Sequence, residues 1–199
     1  MKNIARIAVL TALALSTVSA FAAETVANDS ASWNVTATKD SSAKLVVTPR
    51  GSIDFQYAKS TDGTTGNFNQ AQALFDVTVD NTGMNATAFK LETRANAQKS
   101  VQDANGASMD VILSANGTAL EQDTWTTLND ETNTFHGLET LTGLSDGIEK
   151  GSSYFEARLG NFADATGASV TDASLMPDGI YSGVVTAEFK ATWTADDAA

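Results

Sequence analysis

Apolar and polar residues alternate with a period of two in stretch after stretch of this chain. Beyond its first 22 residues, no segment of ten or more repeats at the helical period. Alternation of this kind puts successive side chains on opposite faces, so each stretch reads as a strand buried on one side. The first covers residues 31–38, with Ala31, Trp33, Val35 and Ala37 on one face and Ser32, Asn34, Thr36 and Thr38 on the other. Residues 44–48 follow, ended by Pro49, which cannot donate to a ladder. Residues 52–57 turn Ile53, Phe55 and Tyr57 inward, and residues 74–79 do the same with Phe75, Val77 and Val79. Residues 87–94 bury Phe89 and Leu91 and send Lys90, Glu92 and Arg94 outward. Residues 109–115 run into Asn116-Gly117, the strongest hairpin signal present. Residues 152–159 regain the alternation. The segment 179–194 is expected to be the longest strand, with Tyr181, Gly183, Val185, Ala187, Phe189, Ala191 and Trp193 on one face. Seven or more short strands separated by turn chemistry imply an all-β sandwich.

Between these strands the pattern weakens. Residues 59–72 read as a surface loop with Phe68 as a plug, residues 95–106 as a polar stretch with room for a helical turn, and residues 123–150 as short apolar pieces among Thr, Asn and Gly.

The first 22 residues have a different character. Lys2 and Arg6 precede an apolar core from Ile7 to Leu15, and Ala20-Phe21-Ala22 fits the small-x-small rule. This is a secretory signal, with cleavage expected between Ala22 and Ala23. Its apolar run is too short to cross a bilayer and no later stretch is longer, so no membrane insertion is expected. Without Lys2 and Arg6, ten basic residues stand against 24 acidic ones, a net charge of −14. That charge argues against nucleic acid and against anionic lipid as partners.

No catalytic, cofactor-binding or metal-binding constellation emerges. The chain has no cysteine, which excludes thiol chemistry and Cys-ligated metals, and His136 is its only histidine. Asp103-Ala104-Asn105-Gly106 and Asn129-Asp130-Glu131 lack the twelve-residue layout of a calcium loop. Nothing in the sequence fixes a pair of carboxylates for hydrolysis.

The two ends of the chain resemble each other: residues 31–37 and 189–195 both carry a Trp and an Ala on one strand face. Alternation does not identify a strand's partner. The first strand therefore pairs either within its own domain or with another chain.

Several segments carry a resemblance to a known family. They are Ala31-Ser32-Trp33 with Ala37, residues 42–49, Gly51-Ser52-Ile53, Phe55-Gln56-Tyr57-Ala58, Leu74-Phe75-Asp76-Val77 and residues 86–91. Near the end they are Leu175, Pro177-Asp178-Gly179-Ile180, Ser182-Gly183, Phe189 and Ala191-Thr192-Trp193. Together they are similar to the α-type chaperone–usher pilins of the enterobacterial common pilus, or Mat fimbria. The resemblance covers both flanks, while residues 95–173 depart from it. It implies an incomplete immunoglobulin-like β-sandwich completed by an N-terminal donor strand, a form of β-augmentation. On this sequence that means a signal peptide at 1–22, a donor-strand extension at 23–40 and a pilin domain at 41–199. The donor face would be Ala31, Trp33, Val35 and Ala37, and the acceptor groove would be lined by Leu45, Val47, Phe189, Ala191 and Trp193. The implied partners are copies of the chain in a head-to-tail fibre, a periplasmic pilus chaperone, an outer-membrane usher and a tip adhesin, with host-cell or abiotic surfaces as targets of adhesion and biofilm formation. The competing expectation is a monomeric exported β-sandwich that binds carbohydrate or protein through its middle.

Overall fold

The computed structural model describes residues 28–37, 44–61, 65–83, 85–96 and 100–195, with the backbone alone for 28–37, 44 and 195. The signal segment, its Ala22/Ala23 junction and the connector 38–43 lie outside the described residues. The strands are β1 (Asn28–Ala37), β2 (Lys44–Arg50), β3 (Ile53–Lys59), β4 (Gly66–Phe68), β5 (Ala71–Asp80), β6 (Ala86–Ala95), β7 (Ser100–Gln102), β8 (Ser108–Ala115), β9 (Thr118–Ala119), β10 (Thr126–Asn129), β11 (Ile148–Ala163) and β12 (Ser182–Ala195), with one 3-10 turn, η1 (Ala173–Leu175).

These strands form an immunoglobulin-like sandwich. One layer runs β2-β5-β11-β8 with β9 at its side, and the other runs β10-β6-β12-β1-β3-β4. Short β7 pairs with both β8 and β12 and so joins the layers. The apolar faces predicted by alternation meet between them. Phe75 of β5 and Phe155 of β11 lie with ring centroids 4.7 Å apart, and Phe189 of β12 packs 5.3 and 5.9 Å from them. All three are fully buried, along with Val77, Val79, Leu91, Met109 and Ala187.

Four local expectations are corrected. Strand β2 continues through Pro49 to Arg50, with Pro49 opposite Phe75. It is an edge strand, where a missing N–H costs no ladder bond if it faces away from the neighbour. The polar stretch after β6 holds strand β7 where a helical turn was allowed, because pairing with both layers outweighs local preference. The longest strand is β11, with 16 residues against 14 in β12. Phe68, read as a loop plug, lies in β4 and packs edge-on against Tyr57 at 5.4 Å. Asn116-Gly117 forms the expected hairpin turn, with positive φ at both residues (49° and 77°).

The weak stretch between β10 and β11 is coil, yet it closes the core. Phe135, Leu138 and Leu141 are each no more than 1% exposed. The buried Asn129 side chain ties this coil down by donating from Nδ2 to the carbonyls of Leu138 and Leu141.

Candidate functional site

The sandwich has two ends. Lys44, Asp80 and Ile148 stand in register at one, together with the start of β6 and the end of β12; this is the Lys44 end. The start of β12, the turn η1 and the ends of β3 and β4 lie at the other, the Ser182 end.

Strand β1 fills the slot between β12 and β3. It runs parallel to β12, from Ser30 opposite Ser182 to Ala37 opposite Phe189, and antiparallel to β3, from Asn28 opposite Gln56 to Ala31 opposite Ile53. Ala31, Trp33, Val35 and Ala37 fall opposite Gly183, Val185, Ala187 and Phe189. In β12 these are the positions on the core side, with Val185, Ala187 and Phe189 buried. The side chains of β1 lie outside the described residues.

The residues expected to line the groove come from both layers. Leu45 and Val47 of β2 are 5% and 8% exposed, and Phe189 is fully buried. Ala191 and Trp193 are placed differently, because the described β1–β12 pairing stops at Phe189. Trp193 belongs to the closure of the Lys44 end, where its ring meets Phe89 at 5.2 Å and its Nε1 donates to the Gly143 carbonyl at 3.1 Å. The same carbonyl accepts from Asn81 Nδ2 at 2.7 Å. Ile53 and Phe55, 1% and 0% exposed, belong to the strand on the other side of the slot. Their alternation marked them as core, and nothing in the sequence distinguished slot from core.

Chain length bears on strand direction. Only residues 38–43 separate Ala37 from Lys44, so the seven Cα steps between them span at most about 25 Å. In the observed direction β1 ends beside Phe189, toward the Lys44 end, and the chain returns along β2. Reversed in the same chain, Ala37 would sit near Gly183, level with Ile53. Lys44 lies nine residues from Ile53 along the chain, a path of at most roughly 30 Å that includes the turn at Gly51. The short connector therefore favours the parallel direction for a strand of the same chain.

The outer face of β6 and β12 is ionic. Glu92 accepts from Lys190 at 2.6 Å and from Lys90 at 2.7 Å, and Arg94 pairs with Glu188 at 2.7 Å. Trp125 lies against Arg94 and Lys190, 4.7 and 4.5 Å from its ring centre. Burial pushes the Glu92 carboxyl up, but the bonds from Lys190 and Lys90 outweigh it and hold the group below the usual range. At the Ser182 end, burial with Asp172 and Asp178 nearby pushes the Tyr57 phenol up.

The residues weighed for metal or catalytic chemistry are engaged locally. Asp103 Oδ1 accepts from the Asn105 and Ala107 amides, and Asp130 Oδ1 from those of Thr132 and Asn133. His136 is wedged between Phe135 and Tyr154 at 4.1 and 4.2 Å. Among the described residues no helix is long and apolar enough to cross a membrane.

Comparison with known proteins points the same way. The sequence profile of the family described as Fimbrillin MatB matches residues 26–193. The chain is 37% identical over 196 aligned positions to the Common pilus major fimbrillin subunit EcpA of Klebsiella pneumoniae subsp. pneumoniae, covering 92% of this chain and 97% of that protein. It is also 37% identical over 180 positions to the protein of the same name from Escherichia coli, covering 87% and 89% of the two chains.

Proposed function

The chain belongs to the MatB fimbrillin family, and from that premise we propose that it is the repeating structural subunit of a surface pilus, assembled by exchange of its N-terminal strand. It is a building block rather than an enzyme. The observation that carries the reading is β1 itself. It is a separate N-terminal strand, joined to the body by six residues, that fills the slot between β12 and β3.

Without β1, eight positions of β12 and four of β3 would lose their partners on that side. Open edges of this kind invite aggregation. Filling them contributes about 0.5–1.5 kcal/mol per main-chain bond, and a buried aromatic or branched anchor adds roughly 1.5–3 kcal/mol. In the fibre, Ala31, Trp33, Val35 and Ala37 of one subunit enter the slot of the next, against Leu45, Val47 and Phe189. Trp33 is the chief anchor. The entering strand runs antiparallel to β12, so its own body is held at the Ser182 end of the acceptor. The parallel direction would instead place it at the Lys44 end, where the acceptor's own N-terminal segment has to leave. The contact is head-to-tail and propagates without closing. Its permanence is kinetic, set by the slow unfolding of each completed sandwich.

On this reading the subunit is exported through the periplasm after loss of residues 1–22. A pilus chaperone fills the slot there, the exchange takes place at an outer-membrane usher, and a tip adhesin heads the fibre. The finished pilus supports adhesion to cells or surfaces and biofilm formation.

Deleting residues 23–38 tests the assignment. The truncated subunit is expected to stop polymerising while still binding a synthetic peptide of residues 28–38. Fibres from the truncated chain would overturn it. Trp33→Ala is expected to lower the temperature at which fibres dissociate in detergent, and an unchanged threshold would remove Trp33 from the linkage. A monomer that never accepts the peptide would favour a self-contained binding domain.

A further inference from the structure

Among the described residues, the most exposed large apolar side chains lie at the ends of the sandwich rather than on its sheet faces. Ile180 is 72% exposed and Leu175 66%, both at the Ser182 end, while Ile148 is 62% and Leu144 42%, both at the Lys44 end. The large apolar residues exposed on strand faces, Val46, Leu74 and Val184, reach only 39–41%.

We propose that these two apolar ends form a second contact between consecutive subunits, with Leu175 and Ile180 of one copy packing on Leu144 and Ile148 of the next. The proposal rests on the head-to-tail reading above, which brings the Ser182 end of each subunit against the Lys44 end of its neighbour. Chain geometry then sets the separation. The connector between Ala37 and Lys44 spans at most about 25 Å, so the facing ends stay within that reach of each other. Ile180 lies two residues before Ser182, where the donor strand leaves the slot. Ile148 is two strands from Lys44, across Asp80, or about 10 Å at the usual strand spacing. Both patches therefore flank the point where the chain crosses between subunits.

Carboxylates beside both patches are satisfied within their own subunit. Asp172 accepts from the Ser174 amide at 2.7 Å, Asp146 from the Gly83 amide at 2.7 Å, and Glu149 from the Gly143 amide at 2.8 Å. Asp178 is exposed between Leu175 and Ile180, so the patch at the Ser182 end is apolar around one carboxylate. Four side chains are far fewer than a free-standing interface of roughly 1,200–2,000 Å² requires. The tether makes the contact intramolecular in effect, so a weak patch is populated once the donor strand is in place. It serves to set the angle and stiffness of the joint, while the strand alone supplies the linkage.

The chain has no cysteine, which makes a direct test available. Fibres of an Ile148→Cys, Ile180→Cys double variant, treated with a short bismaleimide, are expected to give a covalent ladder of subunits under conditions that melt the strand linkage. Within one chain the two positions lie at opposite ends, roughly 30 Å apart by strand rise, so a ladder reports contact between subunits. A matched Thr48→Cys, Thr186→Cys variant, with both positions four residues into their strands, should give none. Ile180→Asp is expected to leave the detergent-resistant ladder intact and to lower the fibre persistence length in electron micrographs several-fold. Fibres with intact strand linkage that neither cross-link nor lose stiffness would overturn the proposal. Failure of the unmodified chain to form fibres would overturn the head-to-tail reading itself, and this contact with it.

Discussion

Single atoms at the Lys44 end hold several segments together. The Gly143 carbonyl receives Asn81 from the β5–β6 turn and Trp193 from β12, and a methyl group on Gly143 would collide with the Phe89 ring. Its φ is +63°, a region that other residues enter at a cost. Gly143→Ala is therefore expected to destabilise the folded subunit by about 2–4 kcal/mol, read from urea unfolding. Glu92 shows where sequence reading stops at this scale. Alternation put it on the outer face, and it is there. It is nonetheless only 7% exposed, next to a lysine that Trp125 covers. Trp125 comes from the β9–β10 connection, and no period in the sequence ties it to β6 or β12. Because the folded state holds Glu92 below its ordinary pKa, its contribution is complete above the unfolded value, near 4.3, and fades as pH falls through the lower folded value. Glu92→Gln is expected to lose stability at neutral pH, with the gap to the parent narrowing below about pH 4. A gap that stayed constant with pH would assign the loss to packing.

Strands and turns were the legible elements. Period-two runs mark β3, β5, β6 and β8 closely, and Asn116-Gly117 marks its hairpin, because those signals are local and agree with the final burial. The segment between β10 and β11 was not legible. Phe135, Leu138 and Leu141 enter the core from coil and follow neither periodicity. Leu138→Ala is expected to cost about 2–5 kcal/mol in denaturant unfolding, as much as a strand residue of the same size, although its backbone is in no strand. A loss under 1 kcal/mol would reduce this segment to a dispensable loop. The slot was legible only in part. Strand β1 is plain in the sequence. The division of labour along β12 is not, since the alternating pattern runs unbroken from the slot into the closure around Trp193.

For the whole molecule, charge and chain length matter most. Subunits that have lost residues 1–22, as proposed, carry about −14 each and repel one another as they approach. Raising the salt from about 10 to 100 mM shortens the screening length from about 30 to 10 Å, so fibre growth from purified subunits is expected to quicken severalfold over that range. A rate insensitive to salt would mean that release of the subunit's own strand, rather than encounter, limits growth. The six-residue connector has an equally broad effect. It favours the observed direction of β1 inside its own chain, and the proposed exchange gives the opposite direction to a neighbour.

On the proposed exchange one strand serves a single slot in both reading directions, and that is the condition a palindrome meets. Its apolar positions run Ala31, Trp33, Val35, Ala37: small, large, large, small. Reversed over the same span, Trp33 moves from beside Val185 to beside Ala187, Val35 makes the opposite move, and the two alanines trade the ends. The order of residue sizes reads nearly the same either way, so the proposed exchange needs no second recognition sequence.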